Sequence, residues 1–328
     1  MKIFSKELKK ILLPIFLVIA LIAVAVFYFS VAHKIGDTAN ADSKSLPTKL
    51  IEKKDVKILF VGDMMFDRYI RQVTDTRGND FVFKNVESLL KSNDLVVGNL
   101  EGPITDNPSA SINSVIGSRE NYIFTFDPKF AKILKDENIS LVNIGNNHIS
   151  NFSDAGIAST RKYLADAGVS YFGDPADENG RIAIEAMNGW KIAFINYDQF
   201  VSNAEQKTLD DIKKVKSENV DFIFLYTHWG TEFKSEPNEK IKNLAHEFID
   251  NGVDLIIGSH PHVIQSQEQY KGKMIYYSLG NFIFDQYFDA KTQEGLAVEV
   301  DIDAKNKSMG FRERRVKMKT SGQTILEQ

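Results

Sequence analysis

The 328-residue sequence predicts an α/β domain with much parallel sheet, set behind one apolar N-terminal segment. Two observations carry the domain prediction. From Val56 onward, short apolar runs alternate with longer stretches of helical period, the pattern of buried strands joined by crossover helices. Polar residues of a few types (Asp, Glu, Asn, His) then recur directly after those runs. A third observation, four lysines ahead of an apolar run, sets the N-terminal segment apart.

Lys2, Lys6, Lys9 and Lys10 precede an almost unbroken apolar run at residues 11–32. At about 1.5 Å per helical residue the run reaches roughly 33 Å, enough for a hydrocarbon core of about 30 Å. Lysines on the near side place residues 1–10 in the cytoplasm and the rest of the chain outside the cell membrane, as a single-pass anchor. A cleaved signal peptide is the alternative, with Ala39-Asn40-Ala41 as its cleavage site. Such peptides carry apolar cores of only about 7–15 residues. Residues 33–55 are polar and read as a linker, and residues 56–328 as the extracytoplasmic domain.

The predicted strands are Val56–Val61, Asp94–Val97, Leu141–Ile144, Lys191–Asn196, Val220–Tyr226, Val253–Ile257 and Lys273–Leu279. Helical period marks Asp154–Ala167, Glu205–Lys216 and Asn238–Asn251. Alternation at Arg181–Ala186 and Gly295–Ile302 predicts some antiparallel pairing, and residues 103–120 read as a long loop.

Composition narrows the function classes. A net charge of −4 argues against a nucleic-acid partner. The absence of cysteine excludes disulfides, thiolate metal sites and a cysteine nucleophile. No Gly-rich lysine loop for ATP occurs, so any ligation step must be energised by partner subunits.

The chemistry is carried by the residues at the carboxyl ends of the predicted strands. Asp63 comes after the first, Asn99 and Glu101 after the second, and Asn146, Asn147 and His148 after the third. His228, then His260 and His262, then Asn281 come after later ones. Carboxyl ends of strands form the ligand crevice of an open α/β sheet, so these groups converge. His148, His228, His260 and His262 are four of the six histidines; only His33 and His246 lie elsewhere. Any one of them alone reads as an ordinary loop or core histidine. Together they make a nitrogen and oxygen environment suited to Mn, Fe or Zn. Two such divalent ions would serve a metal-dependent hydrolase.

GDMM, GNLEG, GNNH…DAG, THWG, GSHPHV and SLGNF occur in this order over residues 56–290. The set resembles the bacterial capsule-synthesis family associated with poly-γ-glutamate, related to the calcineurin-like metallophosphatases. The resemblance implies a four-layer αββα domain of two mixed sheets. It also implies a role in making or exporting poly-γ-glutamate or another envelope polymer, beside membrane-bound synthase subunits. Residue by residue it implies Asp63 as the first metal ligand, Glu101 as the bridging carboxylate with Asn99 beside it, and Asn147 as a ligand. His148 matches the catalytic acid. His228 and His260 match ligands of one ion, and His262 of the other. Asn146, Asn151, Asn281 and Arg68 are expected around the ligands or at the substrate.

Two positions depart from that pattern. Metallophosphatases place a His two residues after the first Asp, where this chain has Met65, a thioether poorly suited to such cations. Many family members have Asp at the position of Asn151; Asp154 is the nearby substitute, although a helix N-cap explains it as well. Arg68 fits either a carboxylate or phosphate substrate or a salt bridge, and Trp229 a wall of the crevice. The basic cluster Arg312, Arg314, Arg315, Lys317 and Lys319 reads as a charged edge strand, with polyanion contact as the alternative. Three functions stay open: a hydrolase, a non-catalytic polymer-binding accessory, or an extracytoplasmic phosphatase unrelated to capsule.

Overall fold

The computed structural model describes Ala25 and residues 52–327. The predicted anchor, apart from Ala25, and most of the linker therefore lie outside the described residues. Among those described, no helix is long and apolar enough to cross a membrane. Lys54, placed in the linker by the sequence, already bonds to the domain: its carbonyl accepts from Trp190 Nε1 at 2.8 Å.

Fourteen strands form two sheets among the described residues. The first contains β1 (Val56–Met64), β2 (Leu95–Leu100), β3 (Ile139–Asn143) and β4 (Ser170–Phe172), all parallel. On the other side of β1 lie β12 (Glu294–Asp303), β13 (Ser308–Met318) and β14 (Thr324–Leu326), all antiparallel, while β11 (Asn281–Ile283) pairs with the end of β1. The second sheet runs β5-β6-β7-β8-β10-β9, with β5 (Ile182–Met187), β6 (Trp190–Asp198), β7 (Phe222–His228), β8 (Leu255–Ser259), β9 (Gln267–Tyr270) and β10 (Lys273–Tyr276).

Alternation along the central strands explains their nearly continuous apolar character. On β1, Ile58 and Phe60 enter the core between the sheets, while Leu59 and Val61 enter a second core. There they meet Ile70 of α1 (Arg68–Arg77), Leu90 of α2 (Glu87–Lys91), Phe130 of α3 (Lys129–Asp136) and Leu164 of α4 (Ser153–Ala167). On β7, Phe224 and Tyr226 enter the intersheet core. Ile223 and Leu225 face a third core with Ile212 of α5 (Ala204–Ser217) and Phe248 of α6 (Glu239–Asn251). Strands buried on both faces have no polar face to alternate with. Three cores separated by two sheets give the order helix, sheet, sheet, helix.

Helix ends follow local chemistry. Asn238 caps α6 by accepting from Ile241 N at 3.0 Å, and Gly252 ends that helix in the left-handed region. Asp154 is exposed in the first turn of α4, whose N-cap is Phe152, so it neither caps the helix nor serves as the expected substitute beside His148.

Two expectations change at the surface. The basic strand β13 is not an edge along its whole length: β14 covers Val316–Met318. Three of its four cations are also answered, Arg312 by Asp301 at 2.7 Å, Arg315 by Glu294 at 3.6 Å and Lys317 by Glu327 at 3.8 Å. Trp229 is not a crevice wall. It is fully buried, with Nε1 donating to Tyr277 O at 2.9 Å.

Candidate metal centre

The sheet registers place the polar strand ends at one level. Asp63, Asn99 and Asn143 are in register across β1, β2 and β3, and Asp63 also pairs with Asn281 of β11. In the second sheet Asp198, His228 and Ser259 are in register across β6, β7 and β8. The ends of β1 and β11 meet closely: a Cβ on Gly62 would lie 1.9 Å from Gly280 O. Only glycine permits that approach, and the Asp63 N–H donates to the same carbonyl at 3.0 Å.

Asp63 is fully buried and receives Asn99 Nδ2 at 2.8 Å on one oxygen and the His260 N–H at 3.2 Å on the other. Asn99 Oδ1 in turn accepts from Asn143 at 3.0 Å and Asn146 at 3.1 Å, a ladder of amides behind the carboxylates. Asn146 Oδ1 accepts the His148 and Ile149 N–H groups, each at 3.1 Å, and so shapes the turn that presents Asn147 and His148.

His228 Nε2 lies 2.8 Å from Asn147 Oδ1 and Nδ1 3.0 Å from Ser259 Oγ. Ser259 Oγ donates to Thr227 O at 2.8 Å, so it is free to accept from Nδ1. His262 Nδ1 faces Asn281 Oδ1 at 3.0 Å and Asp63 Oδ2 at 3.3 Å, while Nε2 faces Glu101 Oε1 at 3.4 Å. His260 and His262 both have positive φ, 94° and 56°, a conformation that costs energy for a non-glycine residue.

The donors fall into two groups whose ligand atoms all lie within 4.8 Å of one another: Asp63 with Glu101 and His228, and His260 with His262 and Glu232. The His228 and His260 rings, expected on one ion, lie 4.7 Å apart between centroids. Glu232 is a residue the sequence reading missed. Its one signal is its place four residues after His228, in THWGTE.

A divalent cation fits this donor set. Both Glu101 oxygens and His260 Nδ1 are buried with no hydrogen-bond partner, a costly arrangement unless a cation answers them. Burial raises Glu101 well above the usual carboxylate range, against the pull of His262. Burial also opposes the charged form of His262, but Glu101 and Asp63 outweigh it and hold that ring up at about 9. Burial, helped by its histidine neighbours, keeps His228 well below the ordinary imidazole range and His260 down at about 3. His228 and His260 are thus neutral imidazoles with a lone pair to offer, beside the buried carboxyl groups of Asp63 and Glu101.

Met65 contributes nothing to this set. It is fully buried in the helix-side core, and its sulfur accepts the Asp67 N–H at 3.0 Å.

His148 stands at the mouth, with Nε2 3.9 Å from Glu101 Oε1 and its ring against Phe124 at 4.3 Å. Burial pushes it down to about 4; Asn151 Oδ1, 3.3 Å from Nδ1, opposes that only partly because it carries no charge. The same oxygen accepts the Phe124 N–H at 2.8 Å, so Asn151 orients His148 and does not touch the metal donors.

A cavity of about 420 Å3 opens onto His148, His262 and Glu232, with Tyr122, Phe124 and Phe284 among its walls. Arg68 lines it but is held in a salt bridge with Asp285 between the Phe124 and Phe284 rings. Of the two readings of Arg68, the salt bridge is the one observed.

Residues 57–286 match the family of the bacterial capsule synthesis protein PGA_cap. The chain belongs to that family. Two capsule-synthesis relatives are the capsule biosynthesis protein CapA of Bacillus anthracis and the PGA biosynthesis protein CapA of Bacillus subtilis. The first is 32% identical over 73% of this chain and 62% of its own length. The second is 29% identical over 87% of this chain and 76% of its own. The match thus spans less than two thirds of the Bacillus anthracis protein.

Solved structures are more distant. An NAD nucleotidase from Haemophilus influenzae aligns over 84% of this chain and 54% of its own at TM-score 0.49 and 13% identity. A hypothetical protein from Thermus thermophilus aligns over 79% of this chain and 99% of its own at TM-score 0.47 and 13% identity. The architecture of this capsule-synthesis family member rests on its own topology.

Proposed function

We propose that this chain is a membrane-anchored component of poly-γ-glutamate or related envelope-polymer synthesis. In this reading its metallophosphatase-like domain lies outside the cell and works as a metal-dependent hydrolase. The observation that carries the reading is Glu101, a buried carboxylate with neither oxygen hydrogen-bonded, set among Asp63, Asn147, His228, His260 and His262.

Those six side chains would hold a divalent pair, which supplies Lewis acidity and activation of water near neutral pH. The rest is the work of the chain itself. Asn281 fixes the His262 ring, and Ser259 fixes His228. Asn151 Oδ1 also takes the Phe124 N–H, so it accepts from His148 Nδ1–H and leaves Nε2 to exchange a proton with a substrate in the cavity. The aromatic walls exclude water from one side of that cavity.

Full-length protein supplied with Mn2+ should release phosphate from a phosphoester or shorten poly-γ-glutamate, and His148→Ala should slow this by about 100-fold or more. Turnover that is unchanged by His148→Ala would remove the catalytic assignment. A second reading, a non-catalytic polymer-binding accessory, is favoured by the neutral partner of His148. Cation binding and polymer binding without any turnover would decide for it.

A further inference from the structure

We infer that Glu232 is a metal ligand which, with His260 and His262, holds a second cation apart from the Asp63, Glu101 and His228 group. This rests on the metal reading above and assigns a residue to it that neither the motifs nor the family resemblance pointed to.

The geometry carries the assignment through the loop after β7. Gly230 is pinned to Gln199 by a reciprocal pair of bonds, each 2.8 Å, and has a positive φ of 90°. The Phe233 N–H then donates to Pro261 O at 2.8 Å, and Gln265 Nε2 donates to Lys234 O at 2.8 Å. Glu232 is thus held through Gln199 on its N-terminal side and by the segment that carries His260 and His262 on its C-terminal side. Its carboxylate lies within 4.8 Å of a nitrogen on each of those rings.

The second observation is His260. The residue is only 4% exposed, and its Nδ1 is buried without a hydrogen-bond partner. Its backbone is held at φ 94°, so the chain keeps an unfavourable conformation to present a ring nitrogen that nothing else in the fold answers. An oxygen donor beside two imidazoles is a three-ligand set, and it leaves coordination positions open toward the cavity. Met65 meanwhile is turned into the core, where its sulfur is engaged by Asp67.

Because Glu232 is exposed, the second cation reaches solvent through the cavity, and the two sites differ in exchange as well as affinity. The test is Mn2+ binding by isothermal titration to full-length metal-free protein, with Glu232→Gln, Glu232→Asp and Asp63→Asn alongside. The expected result is two classes of ion in the wild type. Glu232→Gln weakens the looser class by about tenfold or more while sparing the tighter, and Glu232→Asp recovers part of the loss. Asp63→Asn weakens the tighter class instead. Matched melting curves for the metal-free proteins separate binding from folding.

Two classes with the same affinities in Glu232→Gln would overturn the assignment and leave the metal reading standing, as would a single class that Glu232→Gln does not weaken. A single class that it does weaken would overturn the separate second site. No Mn2+ binding in the wild type would overturn both readings together.

Discussion

The side-chain oxygen of Asn281 lies 3.0 Å from His262 Nδ1, across 19 residues of sequence. Asn281 Nδ2 donates to Thr292 O at 2.9 Å, which fixes the amide and leaves its oxygen as the acceptor. His262 therefore carries its proton on Nδ1 when neutral and offers Nε2 to the centre. Such partners set ring orientation and basicity at metal sites. Asn281→Ala is expected to weaken Mn2+ binding by about 10- to 100-fold. Isothermal titration checks this; unchanged affinity would leave Asn281 a purely structural residue.

Asn151→Asp gives His148 the carboxylate that its surroundings lack. Charge opposite the imidazolium favours the protonated form, so the ring should titrate about 1–3 units higher. The starting value is about 4, set by burial with only uncharged partners, Asn151 and the Tyr122 backbone, opposing it. Proton NMR of His148 in metal-free protein reads the shift directly. A titration that stays in place would show that residue 151 does not govern this ring.

Asp198 is nearly buried at the end of β6, and burial raises its carboxyl from 3.8 to about 6 against the bond from Phe200. The unfolded chain releases this proton near 3.8 and the folded chain only near 6. Its contribution to stability is therefore complete below the lower value and is lost as pH rises through the upper one. Asp198→Asn keeps an acceptor for the Phe200 N–H and removes the charge. At pH 8 the variant should be more stable than wild type by on the order of 2–3 kcal/mol, and at pH 3 nearly equal. Denaturant unfolding at the two pH values, with chelator present, makes the comparison. Equal differences at both would contradict it.

Tyr226 in the intersheet core donates to Val61 O at 2.6 Å, tying β7 to β1 two residues before Asp63. Tyr226→Phe leaves that buried carbonyl short of a donor at a cost of about 1–3 kcal/mol. Thermal unfolding should show Tm lower by roughly 2–10 °C. A variant with wild-type Tm would mean that the bond adds nothing across the sheets.

Most of the fold was legible because its strands are buried on both faces. Runs such as Phe222–His228 are apolar without interruption until the polar end, so both strand and site announce themselves. The predicted start of α4 at Asp154 differs from the observed Ser153 by one residue, as helix ends commonly do. What the sequence did not reveal depends on contacts between distant segments. Glu232 joins the histidines through contacts such as Phe233 with Pro261 and Lys234 with Gln265, and Arg68 is neutralised by Asp285 across 217 residues. The expected edge strand at Arg312–Lys319 gained a partner from Thr324–Leu326, three residues with no strand signal of their own. Trp229 looked like a crevice wall because it follows His228, yet it points into the helix-side core of the second sheet.

The central claim is that the strand ends hold metal, and the most direct measurement is metal content per full-length chain after loading with Mn2+ and desalting. About two ions per wild-type chain, and fewer in Glu101→Gln, is the predicted result. No stoichiometric Mn2+, Fe2+ or Zn2+ in the wild-type protein would contradict it.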